Sequence, residues 1–248
     1  GAEGGREGAK KTGGLAVGGA HLASAIRNNI FDITNLRTLD LGDNNKLSYL
    51  PPAVAKLRNL INLNLDHCKL TALPAQICTL PKLEHLCASH HLLETLPPAI
   101  GSLQSLRRLL VDHNRLASLP DSLCACARLA TLDVSHNLLA ALPEETGSLA
   151  ELVDVRLAQN ALTRLPESMG RLSRLKDLDV CGNRLTLLPA AVLADTPLQR
   201  LQVDGALLGK DGLLVEMEGR DAYLERRGAR IEKEVHAKWS GGDLKFSS

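Results

Sequence analysis

The sequence predicts an α/β solenoid, with a curved parallel sheet on a concave face and irregular or 3-10 turns on a convex face. The first observation is a Leu-Pro pair that recurs every 23 residues, at Pro51, Pro74, Pro97, Pro120, Pro143, Pro166 and Pro189. The second is a short alternation of apolar and polar residues between successive pairs. Repetition at a fixed period of this length is typical of stacked, quasi-one-dimensional folds.

The alternating segment of each unit predicts a short β-strand, because strand side chains point to opposite faces with period two. In the fourth unit, Leu109 and Val111 are expected to point inward, and Arg108, Leu110 and Asp112 are expected to point outward. One unit cannot bury its own row of Leu side chains, whereas stacked units bury a continuous row. The strands of successive units should therefore pair in parallel.

The Leu-Pro half of each unit predicts the return of the chain along the convex face. Proline is tolerated there because no ladder hydrogen bond needs its missing N–H. The corner that joins the halves carries an asparagine in the later units, at Asn114, Asn137, Asn160 and Asn183. An amide side chain both donates and accepts, so these residues are expected to satisfy backbone groups that the corner would otherwise leave unpaired.

The unit consensus, Leu-x-x-Leu-x-Leu-x-x-Asn-x-Leu-x-x-Leu-Pro-x-x-Ile-x-x-Leu-x-x, resembles the intracellular leucine-rich repeat family with 23-residue Leu-Pro units. The resemblance covers about two-thirds of the chain. It implies a leucine-rich-repeat solenoid that acts as a non-catalytic protein-interaction module or adaptor. Residues 218–226 also resemble the end of small members of the family that contain little more than the repeat array.

Changes of pattern divide the chain into five predicted segments. A Gly-rich tail (1–12) precedes an N-terminal cap unit (13–35), and residues 36–208 hold seven complete repeats and one partial repeat. A helical cap rich in Glu, Arg and Lys follows over 209–238, interrupted at Gly219 or Gly228, and residues 239–248 form a second tail. Caps that differ from the internal repeats are typical of solenoids.

Composition narrows the function classes and the location. Aromatic residues make up 2% of the chain and the net charge is +1, so a nucleic-acid partner is not expected. No run of 18 apolar residues is present, so no transmembrane segment is expected. Six Cys without a disulfide pattern favour a reduced, cytoplasmic location, with a cytoskeletal or ciliary location left open. Gly1 is a weak lipidation candidate, because Gly5 stands where the usual signal has Ser or Thr.

Four histidines occupy the eighth position of successive units, at His67, His90, His113 and His136. Stacked at strand spacing, they would form an imidazole ladder able to bind a transition metal or to sense pH. Position seven alternates between Asp and Ser, which is not a closed ligand set, so we expect structural or solvated histidines and neither metal nor cofactor. The chain has no phosphate-binding Gly loop and no Gly-x-Ser-x-Gly elbow, so we do not expect an enzyme.

The concave face, formed by positions three, five and seven of each unit, is the predicted partner surface. Its columns hold 8 Asp against 3 Arg, a net of −5 in a chain whose net charge is +1, which favours a basic protein partner. The candidate contact residues are Asp40, Asn64, Asp66, His85, Arg108, Asp112, Asp133, Asp154, Arg156, Asp177, Asp179 and Asp204.

Two alternative roles stay open at this level. The chain could be a structural subunit of a large cytoskeletal or axonemal assembly. The resemblance also allows a regulatory subunit of a small GTPase or phosphatase signalling complex. A structural subunit would co-purify with its partner in a fixed ratio, whereas a regulator would exchange.

Overall fold

The computed structural model describes residues 13–16, 30–204, 207 and 218–228, and these residues form a repeat solenoid. Its sheet contains nine parallel strands within the described ranges, and their spatial order is their order in the sequence. The strands are β1 (Gly14–Ala16), β2 (Thr38–Asp40), β3 (Asn62–Asn64), β4 (His85–Cys87), β5 (Arg108–Leu110), β6 (Thr131–Asp133), β7 (Asp154–Arg156), β8 (Asp177–Asp179) and β9 (Arg200–Gln202).

Strand register follows the repeat. Leu109 of β5 pairs with Leu86 on one side and with Leu132 on the other, so residues at the same position of successive units lie side by side. The middle residue of each strand points into the core, and Leu109 and Val111 are fully buried while Arg108 is exposed. The predicted parallel solenoid and its inward Leu rows are therefore confirmed.

The Leu-Pro halves form 3-10 helices on the opposite side of the core. They lie at Pro52–Lys56, Ala75–Thr79, Ile100–Ser102, Asp121–Ala125, Glu144–Ser148 and Glu167–Arg171, and a further 3-10 turn, Ile30–Asp32, precedes the first Leu-Pro pair. The repeated prolines Pro74 and Pro120 precede their helices in extended conformation, where the fixed φ of proline fits. In the seventh unit the Ala-rich segment forms a short α-helix instead, α1 (Ala190–Ala194), because Ala is the best helix former.

Close packing of neighbouring 3-10 helices requires small residues at some positions. A Cβ added to Gly147 would lie 1.8 Å from the carbonyl oxygen of Ser168 in the next unit. Gly101 has the same relation to Ser122, at 2.0 Å. Glycine at these positions therefore sets how closely successive units approach.

Both ends depart from the repeat. At the N-terminal end, β1 pairs with β2, and Ile30, Phe31 and Ile33 are buried against the first Leu layer. At the C-terminal end, residues 220–228 form helix α2, which begins directly after Gly219. Tyr223 of α2 is buried. No helix within the described ranges is long and apolar enough to cross a membrane.

Candidate protein-interaction surface

Each repeat unit contributes one residue to each of the three columns of the concave face, at positions three, five and seven. The centre of this face carries an apolar spot, because half-buried Leu110 and Cys87 are register partners on neighbouring strands. Arg108 is exposed beside this spot, and with His85 and the β3 asparagines it lines a shallow depression. Arg108 makes no salt bridge with any residue that the structure describes.

Position-five side chains of the concave face bind the backbone of their own unit. Oδ1 of Asp40, Asp133 and Asp179 accepts a hydrogen bond from the amide two residues later, at 2.9 to 3.0 Å. Asn64 makes the same bond at 3.0 Å with a neutral side chain. Hydrogen-bond geometry at this position therefore does not require a negative charge.

Two of the three arginines of the concave columns, Arg156 and Arg200, lie in the C-terminal half of the face. Arg156 lies 2.9 Å from a carboxylate oxygen of Asp154 and 3.6 Å from one of Asp133. Arg200 forms an ion pair with Asp177. Part of the acidic excess in the columns is therefore neutralised locally within this half of the face.

Asp133 corrects an expectation about exposure. Its position on the outward column predicted a solvated side chain, yet the residue is only 8% exposed. Burial raises the pKa of the Asp133 carboxyl, although hydrogen bonds from Ser135 and the charge of Arg156 oppose the shift. Asp112 is also largely covered, with 19% of its side chain exposed. Charge reversal at Asp133 is consequently not a neutral surface change.

The corner asparagines satisfy backbone groups, as predicted, and they do so both in their own unit and in the unit before it. Asn114 Nδ2 donates to the carbonyls of Ala88, Val111 and Asp112 at 2.9 to 3.1 Å, and its Oδ1 accepts from the Leu93 amide at 3.0 Å. The same set of bonds recurs at Asn137, Asn160 and Asn183.

His91 occupies this corner position in the third unit, a substitution that the sequence interpretation missed. Its Nδ1 accepts a hydrogen bond from the Leu70 amide at 3.2 Å, as an asparagine Oδ1 would. The residue is 5% exposed, and its buried Nε2 has no hydrogen-bond partner. Burial lowers the pKa of His91 to about 4, against the opposing effect of the Leu65 and Cys68 carbonyls. The ring is therefore neutral at physiological pH.

The four position-eight histidines form the predicted ladder, here called the histidine ladder (His67, His90, His113 and His136). Their ring centroids are 4.1 to 4.2 Å apart and neighbouring rings are tilted by 14 to 17°. All four residues have a left-handed backbone, with φ between 52° and 60°. Asp43, Gln159 and Gly182 share this conformation in other units, and it favours Gly, Asn, Asp and His.

The cysteines of the described ranges are all unpaired. Cys68, Cys78 and Cys126 are buried, while Cys87, Cys124 and Cys181 are half-buried. Burial raises the pKa of the Cys87 thiol to about 11, and nearby Asp66 adds to the shift. The predicted lipidation candidate Gly1 lies outside the described residues, as do both predicted tails.

The sheet, the convex turns and the aligned columns define a repeat solenoid with one continuous side-chain surface. Comparison with family models identifies the repeat itself: leucine-rich repeat models match residues 35–57 and 127–185. The chain contains leucine-rich repeats over these ranges, and its fold is a leucine-rich-repeat solenoid. Folds of this class typically serve as non-catalytic modules that bind proteins.

Solved structures of leucine-rich repeat proteins resemble the chain over most of its length. A leucine-rich repeat protein of Leptospira interrogans, LIC12759, is 30% identical with a TM-score of 0.76, over 88% of this chain and 53% of that one. The plant peptide hormone receptor RGFR1, in complex with RGF2, is 27% identical with a TM-score of 0.65, over 70% of this chain and 29% of that one.

A third similar structure is the ectodomain of the Arabidopsis thaliana receptor kinase GASSHO1/SCHENGEN3 in complex with CASPARIAN STRIP INTEGRITY FACTOR 2. It is 27% identical with a TM-score of 0.55, over 70% of this chain and 25% of that one. The chain thus spans about half of the first structure and less than a third of the two plant receptors. A comparison with curated proteins finds no match.

Proposed function

We propose that this protein is an interaction module that binds a protein partner with a basic surface across its concave face. The observation that carries the proposal is the aligned set of outward columns in a continuous parallel sheet. An apolar spot at Leu110 and Cys87 lies at the centre of these polar columns. Interfaces with an apolar centre and a polar rim are the common arrangement for protein recognition.

Charge supports a basic partner. Asp40, Asp66 and Asp112 lie in the N-terminal half of the face, where no Arg forms an ion pair with them among the described residues. Electrostatic complementarity acts mainly on the association rate and on the orientation of the encounter. The narrower resemblance of residues 218–226 to leucine-rich repeat-containing protein fifty-seven belongs to this proposal as well, since members of that group contain little more than the repeat array.

The test uses substitutions that change charge without changing shape. Asp40→Asn with Asp179→Asn removes two negative charges and keeps both hydrogen bonds to the position-seven amides, as Asn64 does naturally. The matched control is Glu94→Gln with Glu167→Gln, which changes net charge equally at exposed residues outside the concave face.

Partners are recovered with the wild-type chain as bait, and surface plasmon resonance then compares the two double variants at low and high salt. We expect the concave variant to slow association about three- to tenfold at low salt, and we expect the difference to shrink at high salt. The control variant should associate like wild type. Equal behaviour of the two double variants would place binding on another surface.

A further inference from the structure

We propose that His90, Asp112 and His113 form a binding site for a divalent first-row transition-metal ion such as Zn²⁺. The three side chains come from adjacent units, and one possible ligand atom from each lies within 4.8 Å of the other two. Imidazole nitrogen with carboxylate oxygen is a ligand set that Zn²⁺ uses in proteins.

Asp112 is the centre of the cluster. Its Oδ2 lies 2.8 Å from Nδ1 of His113 and 3.9 Å from Nε2 of His90. Ligand atoms on a tetrahedral zinc ion are about 3.4 Å apart, given metal–ligand distances near 2.1 Å. Both imidazoles are partly exposed, with side-chain exposures of 40% and 43%, so an ion can reach them from solvent.

The surroundings hold the carboxylate in place for this role. Ser89 Oγ donates to Oδ1 of Asp112, which leaves Oδ2 directed at the rings. Hydrogen bonds that orient a ligand in this way are a regular feature of metal sites. The stacking of His90 on His113, with centroids 4.2 Å apart, fixes the spacing of the two imidazoles before any ion binds.

The rest of the histidine ladder lacks this combination. Ser135 stands beside His136 where Asp112 stands beside His113, so that end of the ladder has no carboxylate at position seven. Asp66 precedes His67, but its Oδ1 accepts from the Ser89 amide at 2.7 Å. Among the described residues, His90, Asp112 and His113 are therefore the ladder group whose ligand atoms lie within 4.8 Å of one another.

The chain itself supplies a suitable substitution. Gln159 occupies position eight with φ of 56°, so glutamine fits the left-handed backbone of this position. His90→Gln and His113→Gln remove one ligand each, and His136→Gln is the matched control at the same position of the next unit. Asp112→Asn removes the carboxylate charge but keeps the acceptor for Ser89, and it serves as a second variant if a glutamine variant fails to fold.

Isothermal titration of untagged, chelator-treated protein with ZnCl₂ should give one ion per chain. We expect His90→Gln, His113→Gln and Asp112→Asn each to weaken binding at least tenfold, and Ser89→Ala to weaken it about tenfold. His136→Gln should bind within about twofold of wild type. Circular dichroism checks that each variant is folded.

Three results would overturn the site. The first is that the wild-type protein binds no zinc at millimolar ZnCl₂. Equal loss of affinity in His136→Gln and His113→Gln would show a general effect of the ladder. Unchanged binding in all ligand variants would assign the metal to other groups, such as the half-buried thiols Cys87 and Cys181.

Discussion

Replacement of His91 by asparagine should stabilise the protein. His91 stands in a column of corner residues that otherwise donates to three carbonyls and accepts from one amide, as Asn114 does. The histidine reproduces only the accepted bond, from the Leu70 amide, and leaves Nε2 buried without a hydrogen-bond partner. An unsatisfied buried donor costs about 1–3 kcal/mol, so its removal should be measurable.

The magnitude follows from the bonds that asparagine would restore. By the spacing seen at Asn114, Nδ2 at position 91 would face the carbonyls of Leu65, Ala88 and Ser89. Net gains of about 1 kcal/mol for a hydrogen bond are reduced here by the smaller volume of asparagine in a packed corner. We expect a net increase of about 1–2 kcal/mol in the free energy of unfolding, or roughly 2–8 °C in Tm.

The assay is urea unfolding followed by circular dichroism at pH 7.5, where wild-type His91 is neutral. The reciprocal variant Asn114→His is the matched control, because it creates the same defect in the next unit and should destabilise the protein by a similar amount. If His91→Asn lowers the free energy of unfolding, or if Asn114→His leaves it unchanged, the reasoning about the corner column is refuted.

Three further predictions concern stability. Leu119→Ala removes a side chain that is 6% exposed in the continuous core and should destabilise by about 2–5 kcal/mol in urea unfolding; an unchanged midpoint would contradict its place in the core. Asp133→Asn should be neutral or stabilising at pH 7, whereas Asp133→Lys should lose about 2 kcal/mol or more, because it places an unpaired charge in a buried position. The raised Asp133 pKa means that the folded state binds the proton more tightly, so any advantage of Asp133→Asn should shrink as pH falls through that pKa; an advantage that grows in acid would contradict this. Gly147→Ala should destabilise because its Cβ would meet the Ser168 carbonyl, and Gly14→Ala, with open space around it, is the control in thermal unfolding.

The fold could be predicted from the sequence because the repeated units can be aligned with one another within the single chain. Seven Leu-Pro pairs at one spacing fix which residues share a column, and period-two alternation fixes which side of the strand each residue takes. The corner asparagines followed from their ability to donate and accept. These arguments use one unit at a time and need no knowledge of contacts between particular side chains.

The burial of Asp133 and the role of His91 depend on which side chains surround each residue, and the position of a residue in the repeat does not reveal its surroundings. Asp133 is covered in the company of Ser135, which lies two residues later in its own unit, and of Arg156, its register partner in the next unit. The sequence did contain a signal for His91, because it occupies the position of the corner asparagines. That signal was missed because His91 directly follows His90 of the histidine ladder. The left-handed conformation of position eight was also readable, since Asp43 and Gly182 occupy it in other units.

In a repeat protein, residues at the same position of successive units line up in a column. Where they are of one type, the chemistry is the same along the whole column. Chemistry specific to one place must therefore come from a departure in a neighbouring column. The histidine ladder has nearly constant ring spacing from His67 to His136, so stacking alone does not select a site within it. Asp112 makes that selection among the described residues, because its carboxylate lies within 4.8 Å of ligand atoms of both His90 and His113, in the same way that Leu110 sets the centre of the concave face apart. Comparison of equivalent positions along the array, as in the glutamine and asparagine variants above, is consequently the most direct way to separate function from architecture.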